Sequence, residues 1–149
     1  MGAFISLLVV VTSLTSASPP TEAAMLATIE RGVFATPLAT FGGFERTAQR
    51  HFPQLDWTTD HCSSPLVGNT GRSFDFTLSC RRHDFGYRNL KLLQRLTSGN
   101  YWNDSWRRRV DEQFRKDMHS TCAVRRFTQR YTCGTWAEIF YRTVRTWGD

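Results

Sequence analysis

The stretch Cys80-Arg-Arg-His83-Asp84-Phe-Gly-Tyr87-Arg88-Asn89 sets an imidazole beside a carboxylate. On a helix His83 shares a stripe with Cys80 and Tyr87 and faces inward, while Asp84 is turned about 100° toward a neighbouring side. Residues splayed in this way serve one another poorly. They can, however, act at one place on two targets: a base aimed at a proton and a carboxylate aimed at a cation. Upstream lies Trp57-Thr58-Thr59-Asp60-His61-Cys62. A bond from Cys62 to Cys80, one turn before His83, would draw Asp60 toward Asp84. Two carboxylates with loop carbonyls, that of His61 among them, make a hard-oxygen environment suited to Ca2+. Downstream, Asp111 lies on the face shared with Phe114 and Met118. Antiparallel pairing of two helices can set its carboxylate behind the His83 ring, to fix the tautomer and stabilise an imidazolium.

Each of these residues also has a plainer meaning. An inward histidine is more often a satisfied core residue than a base. Asp111 has Arg107, Arg108 and Arg115 at helical spacing, and Asp60 could simply close a turn. Arg81, Arg82, Arg107–Arg109, Arg125 and Arg126 read most simply as solvated faces, which would attract anionic lipid if they shared one surface.

The elements that must position these groups are helical. Pro20 or Thr21 begins a helix through Met25, Leu26, Ile29 and Val33, ended by Gly32 and Pro37. A second pattern spans Phe41 to His51 and closes at Pro53. Residues 56–72 are rich in turn formers. Ser73 can cap a long helix in which Phe76, Cys80, His83, Tyr87 and Leu90 recur at three- and four-residue spacing, and Thr97-Ser98-Gly99-Asn100 breaks it. Asn103, Asp104 or Ser105 caps the next, with a Trp106, Val110, Phe114, Met118 ladder. Thr132 or Thr135 starts the last, with Trp136, Ile139, Phe140, Thr143 and Trp147 on one side. No segment alternates apolar and polar residues long enough for a strand. The expected fold is all-α: a small disulfide-bonded helical domain around two long antiparallel helices.

The amino terminus bears on the compartment. Phe4–Leu14 is an uncharged apolar run followed by small residues and Pro19-Pro20, which reads as a secretory signal peptide over residues 1–17. Export to an oxidising medium makes the four cysteines two disulfides, worth ~3 kcal/mol each by loop-closure reasoning. Cys62 with Cys80, and Cys122 with Cys133, are sequence neighbours, so the three connectivities are not equivalent. No run reaches the ~20 apolar residues of a membrane-spanning helix.

A chain of 149 residues with 40% hydrophobic and 13% aromatic content is one packed domain and not a disordered chain. Its net charge of +6 is unevenly placed: residues 1–80 hold four basic and six acidic side chains, residues 81–145 fifteen and six. Seventeen of the nineteen cations are arginine, which favours phosphate and carboxylate partners. A secreted basic binding module without catalysis would explain the basic half but leave His83 and the three aspartates unused. Cys80-x-x-His83 and His119-x-x-Cys122 have zinc-ligand spacing, which export and an even cysteine count oppose.

The string from Asp56 through Cys62, then Cys80 through Asn89, closely resembles the bacterial and fungal secreted phospholipase A2 family. Val110-Asp111-Glu-Gln-Phe114, Asp117-Met118, Cys122, and Cys133 followed by the Trp136–Trp147 helix continue the likeness. The resemblance implies that His83 is the general base and Asp111 its partner. It implies that Asp60, the His61 backbone carbonyl and Asp84 hold calcium, and that the disulfides are Cys62–Cys80 and Cys122–Cys133. The link from Asn89 to Val110 is longer than the bacterial pattern, so Asp104 competes with Asp111 for His83; the downstream register favours Asp111. Gly86 stands where venom and pancreatic relatives carry a cysteine, and their glycine-rich calcium loop is absent, which places the chain with the microbial branch.

The resemblance further implies a secreted, extracellular enzyme that hydrolyses the sn-2 ester of glycerophospholipids at a membrane or micelle surface, an anionic one included. The expectation is a monomer with calcium as cofactor, no nucleic-acid partner and no transmembrane segment. Residues 18–54 read as an N-terminal helical segment, part of it a candidate propeptide, and residues 55–149 as the catalytic core. Head-group preference is not legible at this level.

Overall fold

The computed structural model describes residues 20–62 and 68–148; the segment 1–17, read above as a signal peptide, lies outside them. Helix α1 (Glu22–Glu30) starts where the Thr21 hydroxyl accepts the Ala24 N–H at 3.2 Å, satisfying a donor that a helix end leaves open. It runs on as a π-turn over Arg31–Ala35 until Thr36 becomes extended before Pro37. Gly32 therefore does not end the helix, as its type suggested. It is buried, and a Cβ there would meet Phe44 at 2.6 Å and Phe85 at 2.8 Å. The glycine is needed for close approach, not for termination.

A short 3-10 turn, Leu38–Thr40, leads into α2 (Phe41–His51). Helices α3 (Thr77–Leu96) and α4 (Asp104–Ala123) are the two long central elements. They are antiparallel: Arg82 of α3 bonds Asp117 of α4, while Tyr87 bonds Asp111. Gly86, the one glycine of α3, brings the pair together, since a Cβ would meet Val110 at 3.0 Å and Val33 at 3.1 Å. Asn103 caps α4, its side chain accepting the Trp106 N–H at 3.1 Å. Helix α5 (Phe127–Trp147) returns along α4, bonded to it through Cys122–Cys133 and tied by Arg115 to Glu138 and Tyr141 to Glu112.

Two starts differ from the sequence pattern. Ser73 is buried and does not cap α3; the chain folds back between Thr70 and Asp75, and Asp75 accepts the Thr77 N–H instead. Phe74 and Phe76 stack at 4.8 Å in that turn, and their burial delays the helix to Thr77. Helix α5 begins at Phe127, before either threonine. Its buried face is Cys133, Ala137 and Phe140, while Ile139 and Trp147 are exposed. The disulfide at Cys133 fixes which side of α5 turns inward.

One core gathers Ile29, Val33, Phe41, Phe85, Leu90, Leu93 and Val110 where α1 and α2 meet α3 and α4. The other gathers Phe74, Phe76, Phe114, Met118 and Phe140 around both disulfides. Among the described residues there is no strand, and no helix is long and apolar enough to cross a membrane.

Arg82 is structural, contrary to its reading as part of a solvated face, and Arg81 and Arg109 make specific contacts from the surface. Arg82 is buried, with Nε donating to Asp117 at 2.7 Å and another guanidinium N–H reaching the Thr36 carbonyl. Arg81 pairs with Glu45, and Arg109 lies over the rings of Phe34 and Trp106. A buried carboxylate and an exposed π-face each recruit a guanidinium more strongly than water alone.

Candidate active site

His83 sits at the seam of the two central helices, its ring 4.2 Å from that of Tyr87 and 4.6 Å from that of Phe114. Its Nε2 is 2.8 Å from Asp111 Oδ1. Asp111 is fully buried, and two further donors reach it: the Tyr87 hydroxyl to Oδ1 at 2.6 Å and Arg145 Nη1 to Oδ2 at 2.9 Å. Burial by itself pushes the Asp111 carboxyl up. The hydrogen bonds from His83 and Tyr87, the His83 charge and the Arg145 bond outweigh it and hold the group below its ordinary value. An ionised Asp111 accepts from Nε2–H, which leaves Nδ1 as the imidazole nitrogen able to take a proton.

Asp104 is not the partner of His83. It is exposed at the start of α4 and pairs with Arg108 and Arg145. Arg107 completes the arrangement: its Nε donates to the Tyr87 oxygen at 3.3 Å, and Nη2 donates to the carbonyls of Val144 and Arg145. A cation at those last carbonyls of α5 is favoured by the helix dipole, and it holds Arg145 in reach of Asp111. Burial and the Asp111 carboxylate push the Tyr87 phenol up, so it stays a donor.

The loop that carries Asp60 is tied at both ends. Cys62 is bonded to Cys80. Asn89, fully buried, accepts the Asp56 N–H and donates to the Asp56 carbonyl, each at 2.7 Å. Trp57 stacks on Phe85 at 4.7 Å and donates to the Phe52 carbonyl. Between these anchors the backbone turns through His61 at φ 61°, a left-handed conformation that a non-glycine residue rarely adopts. The Thr59 hydroxyl accepts the His61 N–H at 3.0 Å and donates to Asp84 Oδ2 at 2.5 Å.

Asp84 and Asp60 bound one polar cavity of about 400 Å³, together with Tyr87 and Arg88. Burial pushes the Asp84 carboxyl up to about 6; Thr59 opposes this, the Asp60 charge adds to it, and His83 and Arg88 oppose it. Asp60 is held by Arg88 at 3.0 Å. Among the described residues no three His, Cys, Asp or Glu side chains converge as a metal site. The donors nonetheless fit a hard cation in type and charge: the Asp84 carboxylate on α3 and the Asp60 carboxylate on the loop, two negative groups near enough that the Asp60 charge adds to the effect of burial on Asp84. The zinc reading fails outright, since Cys80 and Cys122 are both in disulfides and His119 pairs with Glu138.

Sequence reasoning did not reach Tyr87, Arg107, Arg145, Asn89 or Thr59 as members of this site. Tyr87 has the spacing of a core residue, and Arg145 lies on a different helix from both His83 and Asp111. No local pattern marks either one. An expected outcome follows for Arg145→Met. With one of three donors lost, the variant is less stable than the parent at pH 7 by about 1–2 kcal/mol. Because Asp111 is depressed when folded, its contribution is present above the ordinary value of 3.8 and is lost as pH falls. Urea unfolding at pH 7 and pH 3 should therefore show the gap between the two proteins closing in acid.

A model of the prokaryotic phospholipase A2 family matches residues 29–148. A protein of Arthroderma benhamiae described as "Secretory phospholipase A2" is 33% identical over 142 residues, 92% of this chain and 89% of that one. One of Beauveria bassiana with the same description is 34% identical over 119 residues, 80% of this chain but 56% of that longer protein. The match spans the Asp60 loop, the His83–Asp111 seam and both disulfides, and the chain belongs to the prokaryotic phospholipase A2 family.

Proposed function

We propose that this is a secreted, calcium-dependent phospholipase A2 that hydrolyses the sn-2 ester of glycerophospholipids to lysophospholipid and fatty acid. The observation that carries the reading is the 2.8 Å pairing of His83 Nε2 with buried Asp111, one residue away from the carboxylate of Asp84 at the cavity. The descriptions of the two fungal relatives support the substrate and the export.

In this reading His83 acts as general base. Asp111 holds the ring with its proton on Nε2, and Nδ1 removes a proton from a water molecule as that water attacks the ester carbonyl. The imidazolium that forms is stabilised by the ionised Asp111, which Tyr87 and Arg145 keep from protonating. His83 then returns the proton to the departing alcohol. Asp60, the His61 carbonyl and Asp84 would hold calcium, which when bound supplies a Lewis acid for the carbonyl and a counter-charge for the developing oxyanion. No Gly-x-Ser-x-Gly nucleophile is present in the sequence, consistent with direct attack by water. Residues 1–17 are taken as the exported leader and 55–149 as the catalytic core.

A lipid surface as partner is supported by the tip between α4 and α5. Val124, Phe127 and Tyr131 are each more than four-fifths exposed, beside Arg125, Arg126 and Arg130, on a turn clipped by Cys122–Cys133. Exposed aromatics with arginines and no acidic residue suit the interface of an anionic bilayer.

Three outcomes are expected. His83→Asn should lower calcium-dependent release of fatty acid from phospholipid by at least about a hundredfold, while calcium still raises its melting temperature; an active variant would end the proposal. Asp84 should give the calcium effect a pH dependence. Its folded value of about 6 lies above the ordinary 3.8, so in metal-free protein its contribution to stability is full in acid and is lost as pH rises through about 6. Calcium, which needs the ionised carboxylate, should raise the melting temperature strongly at pH 7.5 and weakly at pH 5. Finally, sedimentation with phosphatidylglycerol vesicles should weaken as salt is raised and weaken further in Phe127→Ala/Tyr131→Ala; unchanged sedimentation would remove the tip from the reading.

A further inference from the structure

The cavity beside Asp84 is lined by charges of both signs, with Asp56 held at Asn89 midway along it. Asp84 and Asp60 bound one end, and Arg88, Lys91 and Arg95 follow along α3 at spacings of three and four residues, on one stripe of the helix. Of the acidic side chains that line it, Asp56 accepts from the N–H and hydroxyl of Thr58, Asp60 pairs with Arg88, and Asp84 accepts from Thr59. Lys91 places Nζ 4.5 Å from the ring of Trp102, and Trp102 meets Tyr87 edge-on at 4.8 Å. At about 400 Å³ the space takes a lipid head group.

Resting on the phospholipase reading, we infer that Lys91 and Arg95 form a head-group site selecting net-anionic glycerophospholipids, such as phosphatidylglycerol, over choline lipids. Discrimination comes from repulsion as well as attraction. A trimethylammonium group at this end of the cavity would face two cations on adjacent turns of α3. The aromatic face on which a quaternary ammonium is ordinarily held is already covered by Lys91. A lipid whose head group adds no positive charge leaves its phosphodiester charge uncompensated for these side chains to meet, and head-group hydroxyls suit the same ammonium and guanidinium donors. This selection acts on the single lipid in the cavity and is separate from attraction of the α4–α5 tip to a charged surface.

The test therefore uses short-chain lipids dispersed as monomers, with no surface to bind. Diether analogues of phosphatidylglycerol and phosphatidylcholine, which carry no ester to cleave, are titrated into the calcium-loaded full chain by calorimetry, with inorganic phosphate as a third ligand. The parent protein should bind the glycerol lipid roughly tenfold more tightly than the choline lipid. In Lys91→Gln/Arg95→Gln that ratio should fall to about one, and in Arg95→Gln alone to an intermediate value, with melting temperatures confirming that both variants are folded. Equal affinity for the two lipids, or a ratio untouched by the substitutions, would overturn the inference. So would inorganic phosphate binding as tightly as the glycerol lipid, which would make this a plain phosphate site. Failure of the phospholipase reading is seen separately, as absence of fatty-acid release from the ester lipids while the diether ratio stands.

Discussion

Asp111 carries a negative charge with no access to solvent, and such a charge persists only where donors from the surrounding protein replace the lost water. Here they come from three sequence-distant places: His83 and Tyr87 on α3, and Arg145 on α5. The requirement that these groups meet fixes how α3, α4 and α5 are rotated against one another. It also explains the company that each donor keeps. Tyr87 takes a hydrogen bond from Arg107, and Arg107 grips the last carbonyls of α5 next to Arg145. The imidazole at the centre is thus oriented by electrostatics and by the neighbouring rings of Tyr87 and Phe114, not by its neighbour in the chain.

The second constraint is on the loop before α3. A segment without regular structure can present a carboxylate reproducibly only if its ends are fixed. One end is a covalent bond to α3; the other is a pair of backbone hydrogen bonds to buried Asn89 and a stacked indole. The reach between them is short, and it leaves the left-handed turn at His61 as the way for the chain to complete the path. Both anchors land on α3, the helix that also carries His83 and Asp84. Base and cation site in the proposed mechanism would therefore move as one body.

The excess of arginine serves several unrelated ends. Arg82 neutralises buried Asp117 and ties α3 to the Thr36 carbonyl. Arg107 and Arg145 belong to the Asp111 network, and Arg109 covers two aromatic faces. The two places proposed for anionic partners are local: the cavity along α3 and the tip between α4 and α5. A net charge of +6 is consequently a poor guide to where an anion binds, because Arg82, Arg107 and Arg145 are spent on internal geometry.

The sequence by itself determined the helical class, the two central helices and their break, and the likeness of the His83-Asp84 string to a family, because periodicity, breakers and short motifs are local properties. It placed the α2 boundaries and the Asn103 region correctly, where polar caps and proline speak plainly. It misjudged Gly32, whose role depends on Phe44 and Phe85 from elsewhere, the start of α3, which burial of Phe74 and Phe76 decides, and the inward side of α5, which the Cys133 bond fixes. The family register already favoured Asp111 over Asp104 as the neighbour of His83, but only the tertiary structure set the two groups 2.8 Å apart and brought in Arg145, Tyr87 and Asn89. Those choices turn on which face of one helix meets another, and on how a buried charge finds its donors; neither is written in the spacing of any single segment.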